Sequence, residues 1–134
     1  MKHKVFLGGT CADTVWRENL INALDIDFFN PVVTDWNEDC IAEENNQKEN
    51  ECNIHLYVIT SAMIGVYSIA EVIDSAEQYD KITILHVIPD GFDKGQLKSL
   101  AAVVEMVQMK GGIAYIDSDL MRTAKVLSYA FEYK

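Results

Sequence analysis

Five short apolar runs, at residues 4–7, 28–32, 54–60, 82–88 and 113–116, alternate along this chain with stretches of helical period. That alternation restricts the fold more than any other feature. Runs as apolar as Leu56-Tyr57-Val58-Ile59 and Ile82-Thr83-Ile84-Leu85 need cover on both faces. The intervening stretches supply it. Trp16, Leu20 and Leu24 recur at a spacing of four, with Asp13 or Thr14 placed to cap the helix they mark. Residues 37–50, rich in Glu, Asn and Gln, read as a solvated helix of weak amphipathicity, and 68–78 as the helix after the third strand. Leu97, Leu100, Val104 and Val107 form the inward face of a helix over 95–110, stopped by Gly111-Gly112. Ser118 is placed to cap a final helix reaching Phe131. Pro31 marks the end of the second strand or a sheet edge, and Pro89-Asp90-Gly91 is a turn.

Strand and helix in strict alternation imply a parallel α/β sheet covered on both faces. The expected architecture is a flavodoxin-like or Rossmann-like three-layer sandwich of about five strands, with all 134 residues in one domain (1–134). With 49% apolar residues and only two prolines, the chain is not a disordered one. No apolar run approaches the roughly 20 residues of a membrane span, and the N-terminal run is too short for a signal peptide. A cytoplasmic protein is expected. Cys11, Cys40 and Cys52 are odd in number and lack CxxC spacing, which fits reduced thiols. A net charge of −10, with eleven scattered Lys and Arg, argues against a nucleic-acid polymer as partner and suits a small neutral or singly charged ligand.

Open α/β sheets bind ligands beyond the carboxyl ends of their strands. Those ends offer three candidates. Gly8-Gly9-Thr10, after the first strand, is either a tight turn or a loop that lets a ligand approach backbone N–H groups; it matches neither a Walker loop nor GxGxxG. Asp35-Trp36, after the second, either binds a sugar hydroxyl and stacks a base, or caps a helix and packs a loop. Ser68-Ile69-Ala70-Glu71, after the third, has the S-x-x-E pattern of a capping box. The same Glu71, in the first turn of a helix whose dipole favours the ionised form, also has the chemistry for nucleophilic attack on an anomeric carbon, though such boxes are common and the cap is the plainer reading of these residues alone. Elsewhere the signals are structural. His3, His55 and His86 have no metal spacing, and the latter two fall within strands as core or edge residues. Met106 and Met109 read as core. No metal or other cofactor is expected.

Taken in order, Phe6-Leu7-Gly8-Gly9-Thr10, Trp16-Arg17, Phe29-Asn30-Pro31-Val32-Val33, Asp35-Trp36, Leu56-Tyr57-Val58-Ile59-Thr60 and Gly65-Val66-Tyr67-Ser68-Ile69-Ala70-Glu71-Val72 resemble the nucleoside 2-deoxyribosyltransferase-like proteins over about the first ninety residues. The resemblance implies a flavodoxin-like sandwich, a homo-oligomer, and cleavage or exchange of the N-glycosidic bond of a small nucleoside or nucleotide. Glu71 takes the place of the family nucleophile, and Gly8 and Gly9 that of the sugar-pocket lining. Thr10, Asp35, Trp36, Met63, Tyr67 and Ser68 are further candidates around it, Asp35 among them for catalysis. The sequence departs from the family at the end of strand three, where Thr60-Ser61-Ala62-Met63 holds no acid to protonate the departing base, and at Asn53, where a distant branch often has aspartate. The reaction is then rearranged around Asp35 or Glu44, slowed, or absent, the protein in the last case serving as a non-catalytic binding module. Arg17 is either a phosphate contact or a surface residue.

Overall fold

A computed structural model describes residues 2–11, 15–32 and 37–131, with side chains through 129. Five parallel strands form one sheet: β1 (Lys4–Gly9), β2 (Asp27–Phe29), β3 (Ile54–Ile59), β4 (Ile82–Val87) and β5 (Ile113–Ile116). Their order, β2-β1-β3-β4-β5, is that of the flavodoxin-like sandwich. Helices α1 (Trp16–Ile21), α2 (Glu38–Asn46), α3 (Tyr67–Ala76), α4 (Lys94–Met109) and α5 (Met121–Phe131) form the connections and the last element.

Strand alternation sorts the core into two halves. In β3, Ile54, Leu56 and Val58 face Trp16 and Leu20 of α1 and Ala124 and Leu127 of α5. Tyr57 and Ile59 face the other way, toward Val72 of α3 and Leu100, Val104 and Val107 of α4. Each fully buried aliphatic side chain of this kind contributes about 1.5–3 kcal/mol. The period of two along β3 and the helical spacing of the apolar residues therefore converge on the same sandwich.

Several local expectations change. β1 runs through Gly8 and Gly9 rather than turning at them. β2 ends at Phe29, two residues before Pro31, at the sheet edge. Helix α1 stops at Ile21, and Leu24 reaches the core from beyond it. Asp13 and Thr14 lie outside the described residues. At the last helix Asp119, not Ser118, accepts from the Met121 N–H (2.9 Å), while Ser118 donates to Asp90 (2.7 Å). Met106 and Met109 are 48% and 81% exposed, on the outer face of α4 rather than in the core. The polar helix over 37–50 divides: α2 is followed by a π-helical turn, Gln47–Glu51. Cys11 and Cys52 are free thiols, and among the described residues no helix is long and apolar enough to cross a membrane.

Candidate active site

Strand order reverses between β1 and β3, since β1 continues outward to β2 and β3 to β4. The loops leaving their carboxyl ends diverge there and open a crevice. A cavity of about 760 Å³ occupies it. Gly8, Gly9 and Thr10 form one wall, Met63, Tyr67, Ser68 and Glu71 another, and Glu44 and Lys48 close it from α2 and the π turn. These residues, with Arg17, bring nine of those singled out in the sequence around one space, Lys48 not being among them. Asp35 and Trp36 lie outside the described residues.

The two glycines are required by the sheet itself. Gly9 has φ +111°, and a Cβ there would stand 2.1 Å from the Val58 carbonyl oxygen. A Cβ on Gly8 would come within 2.7 Å of the Tyr57 ring. Backbone and ring therefore pack against β1 where other residues would hold them off. Thr10 locks the next step: its N–H donates to the Val58 carbonyl (2.9 Å) and its hydroxyl accepts from the Thr60 N–H (3.0 Å).

Arg17 is neither on the surface nor free. It is 6% exposed, and its guanidinium donates to the carbonyls of Leu7 (2.9 Å), Thr10 (2.8 Å) and Gly9 (3.3 Å). It thus fastens the end of β1 to α1, beside the ring of Trp16.

Glu71 departs from the capping-box expectation. Helix α3 begins at Tyr67 with Val66 at its N-cap and no side-chain cap, and its first turn holds no acidic residue. Ser68 is the second helical residue and Glu71 the fifth, so neither stands at the position a capping box needs. Its carboxylate instead accepts from the Lys48 ammonium at 2.5 Å, with the two side chains 13% and 19% exposed. The first turn has no side-chain cap, and its Tyr67 and Ser68 line the cavity near the positive end of the helix dipole. On the far side of the Lys48–Glu71 pair lies a second, polar cavity of about 570 Å³, bordered by Asn45, Tyr57, Asp74 and Gln78. The pair forms part of the lining of both cavities.

Other groups carry shifted acidities. Burial chiefly raises the Glu44 carboxyl above its ordinary range; Lys48 opposes this and Glu71 adds to it. Burial likewise raises the Tyr57 hydroxyl, with Glu71 the next cause, so it remains a hydrogen-bond donor. Among the described residues no cluster of three or more His, Cys, Asp or Glu side chains suits a metal ion.

The family model for nucleoside 2-deoxyribosyltransferase-like proteins matches residues 2–90, from the first strand to the turn after β4. The chain belongs to that family. Comparison with curated proteins finds no match, and neither does comparison with solved structures. Within the matched segment lie every residue lining the larger cavity and the Lys48–Glu71 pair. The nucleoside deoxyribosyltransferase-like match ends before α4 and β5, which contribute nothing to that cavity.

Lys48, Glu44 and Tyr57 were not singled out for the site from sequence beyond Glu44's place as a substitute acid. One signal marks Lys48: it is the sole Lys or Arg between Arg17 and Lys81. A single cation in an acidic stretch of that length is well placed to find a buried carboxylate.

Proposed function

We propose that the protein cleaves or transfers at the N-glycosidic bond of a nucleoside, with Glu71 as nucleophile. The observation that carries the reading is the position of its carboxylate, in the crevice at the β1/β3 reversal, opposite Gly8, Gly9 and Thr10. One carboxylate oxygen attacks the anomeric carbon, and the bonding pair of the glycosidic bond leaves with the base nitrogen. Glu44 supplies a proton to that base; its pKa, raised chiefly by burial, suits a general acid, whose help is typically worth about 10²–10⁴-fold. Asp35 is the alternative donor. Water or a second base then opens the glycosyl ester and frees Glu71. Lys48 holds the resting carboxylate oriented.

An unphosphorylated substrate accords best with the cations present. Arg17 is taken up by three carbonyls and Lys48 by Glu71. A homo-oligomer, in turn, would cover Ile64, Val66 and Tyr67, which stand 86%, 71% and 73% exposed around the mouth of the site. The close Lys48–Glu71 pair also favours a second reading, a binding module whose carboxylate is permanently engaged.

Chromatographic assay of base release and base exchange separates the two readings. The panel comprises deoxynucleosides, ribonucleosides, their monophosphates and NAD. The enzyme reading expects product from nucleosides, lost in Glu71→Gln. Folded protein that binds a nucleoside and never turns it over establishes the module instead. Preference for a monophosphate would refute the unphosphorylated reading and direct attention to the first turn of α3.

A further inference from the structure

A buried chain of hydrogen bonds runs beneath the Lys48–Glu71 pair and touches both of its supports. His55, the second residue of β3, is 2% exposed. Its Nε2 lies 2.8 Å from the carbonyl oxygen of Lys48, and its Nδ1 2.8 Å from the Ser75 hydroxyl. Ser75 in turn lies 2.7 Å from the Thr83 hydroxyl on β4. A carbonyl can only accept, so Nε2 carries the proton and Nδ1 accepts from Ser75. Ser75 then accepts from Thr83. Each of the three protons in the row has an acceptor, and the imidazole is neutral. Burial holds it so, depressing its pKa to about 4.

The placement of the two ends gives this chain its consequence. Ser75 follows Glu71 by four residues on α3, so the two share one face of the helix, one turn apart. Lys48 sits in the π-helical turn, a conformation often found where a helix is bent to aim a side chain. One imidazole therefore grips the backbone of the cation and the helix turn below the carboxylate. We propose that His55 is a positioning residue that sets Lys48 against Glu71 by fixing the π turn and α3 at their observed separation. Without it the π turn has no side-chain tie from β3 to the Lys48 carbonyl. The ammonium then samples positions away from the carboxylate.

The bearing of this hold on turnover rests on the nucleophile reading; the hold itself does not. Competitive amine labelling tests it without reference to activity. The full-length protein is reductively methylated at low conversion, and the extent at Lys48 is read by peptide mass spectrometry against exposed Lys98. His55→Leu is expected to raise the Lys48 rate on the order of fivefold, the shift that losing one buried hydrogen bond allows. His55→Gln, whose amide can still donate to the Lys48 carbonyl, is expected to stay within about twofold of wild type. Ser75→Ala is expected to give a smaller rise than His55→Leu. An unchanged Lys48 rate in folded His55→Leu overturns the proposal. Should that variant fail to fold, an unchanged rate in Ser75→Ala does so. Release of Lys48 in a protein that turns over no nucleoside supports the hold and counts against the nucleophile.

Discussion

Replacing Lys48 by Met removes the cation and keeps most of its volume, so the effect on stability isolates the charge pair. At 2.5 Å the gross attraction is about 7 kcal/mol for an effective dielectric constant near 20. Most of that is offset by desolvation of the two groups. The exposures of 19% and 13% decide where the net falls. Fully exposed pairs contribute up to about 1 kcal/mol, and breaking a fully buried one costs about 3–5 kcal/mol. The cavities on either side admit water to both groups, which places the pair near 2 kcal/mol. The assay is urea unfolding at pH 7 of wild type, Lys48→Met, Glu71→Gln and the double variant. For an unfolding slope of about 2 kcal/mol per molar urea, Lys48→Met lowers the midpoint by about 1 M. The double variant recovers part of that loss, because no carboxylate is left buried without its partner. A coupling energy below about 0.5 kcal/mol would refute the view that the pair organises the site.

Three further outcomes follow from particular contacts. Gly9→Ala places a Cβ on a left-handed backbone against the Val58 carbonyl and is expected to cost about 4 kcal/mol or more. Gly8→Ala, which presses only on the Tyr57 ring and the Leu56 carbonyl, costs about 1–3 kcal/mol. Equal unfolding midpoints for the two would contradict the register of β1 on β3. His55, with its pKa lowered to about 4, is neutral when folded while the unfolded chain takes up a proton near pH 6.5. Its share of the stability is therefore complete above about pH 6.5 and falls as the pH drops toward 4, by on the order of 3 kcal/mol. Unfolding midpoints between pH 7.5 and 4.5 should fall more steeply in wild type than in His55→Gln. Cys52 is buried with its thiol raised to about 11, while Cys11 is exposed. Iodoacetamide at pH 8 should alkylate Cys11 in the native protein and reach Cys52 only on unfolding.

The sandwich was legible because two independent periods agree. The strands are apolar enough to demand cover, and Leu100, Val104 and Val107 mark the helix face that gives it. Met106 and Met109 mislead because an apolar residue type does not by itself say which face of α4 it occupies. The position of the crevice was legible too, since Gly8-Gly9-Thr10 and the segment from Met63 to Glu71 close adjacent strands. What escaped was the partnership of Glu71. The S-x-x-E pattern fixes spacing but not where the helix begins, and a start at Tyr67 with Val66 as N-cap carries Glu71 past the first turn. Its partner comes from 23 residues away, in a stretch whose polarity signals only solvent exposure. Nothing in the composition of residues 37–50 marks a π turn. Contacts from outside the turn accompany it, among them the hydrogen bonds from His55 to the Lys48 carbonyl and from the Lys81 ammonium to the Glu49 carbonyl.

The central claim is that Glu71 attacks a sugar, and trapping the glycosyl ester tests it most directly. The protein is incubated with a 2-fluoro-substituted nucleoside, whose electron-withdrawing fluorine slows hydrolysis of the ester. It is then quenched in acid and mapped by peptide mass spectrometry. The account predicts the mass of the fluorosugar on the peptide that contains Glu71, and no adduct in Glu71→Gln. An adduct on any other residue, or turnover of the natural nucleoside undiminished in Glu71→Gln, would contradict it.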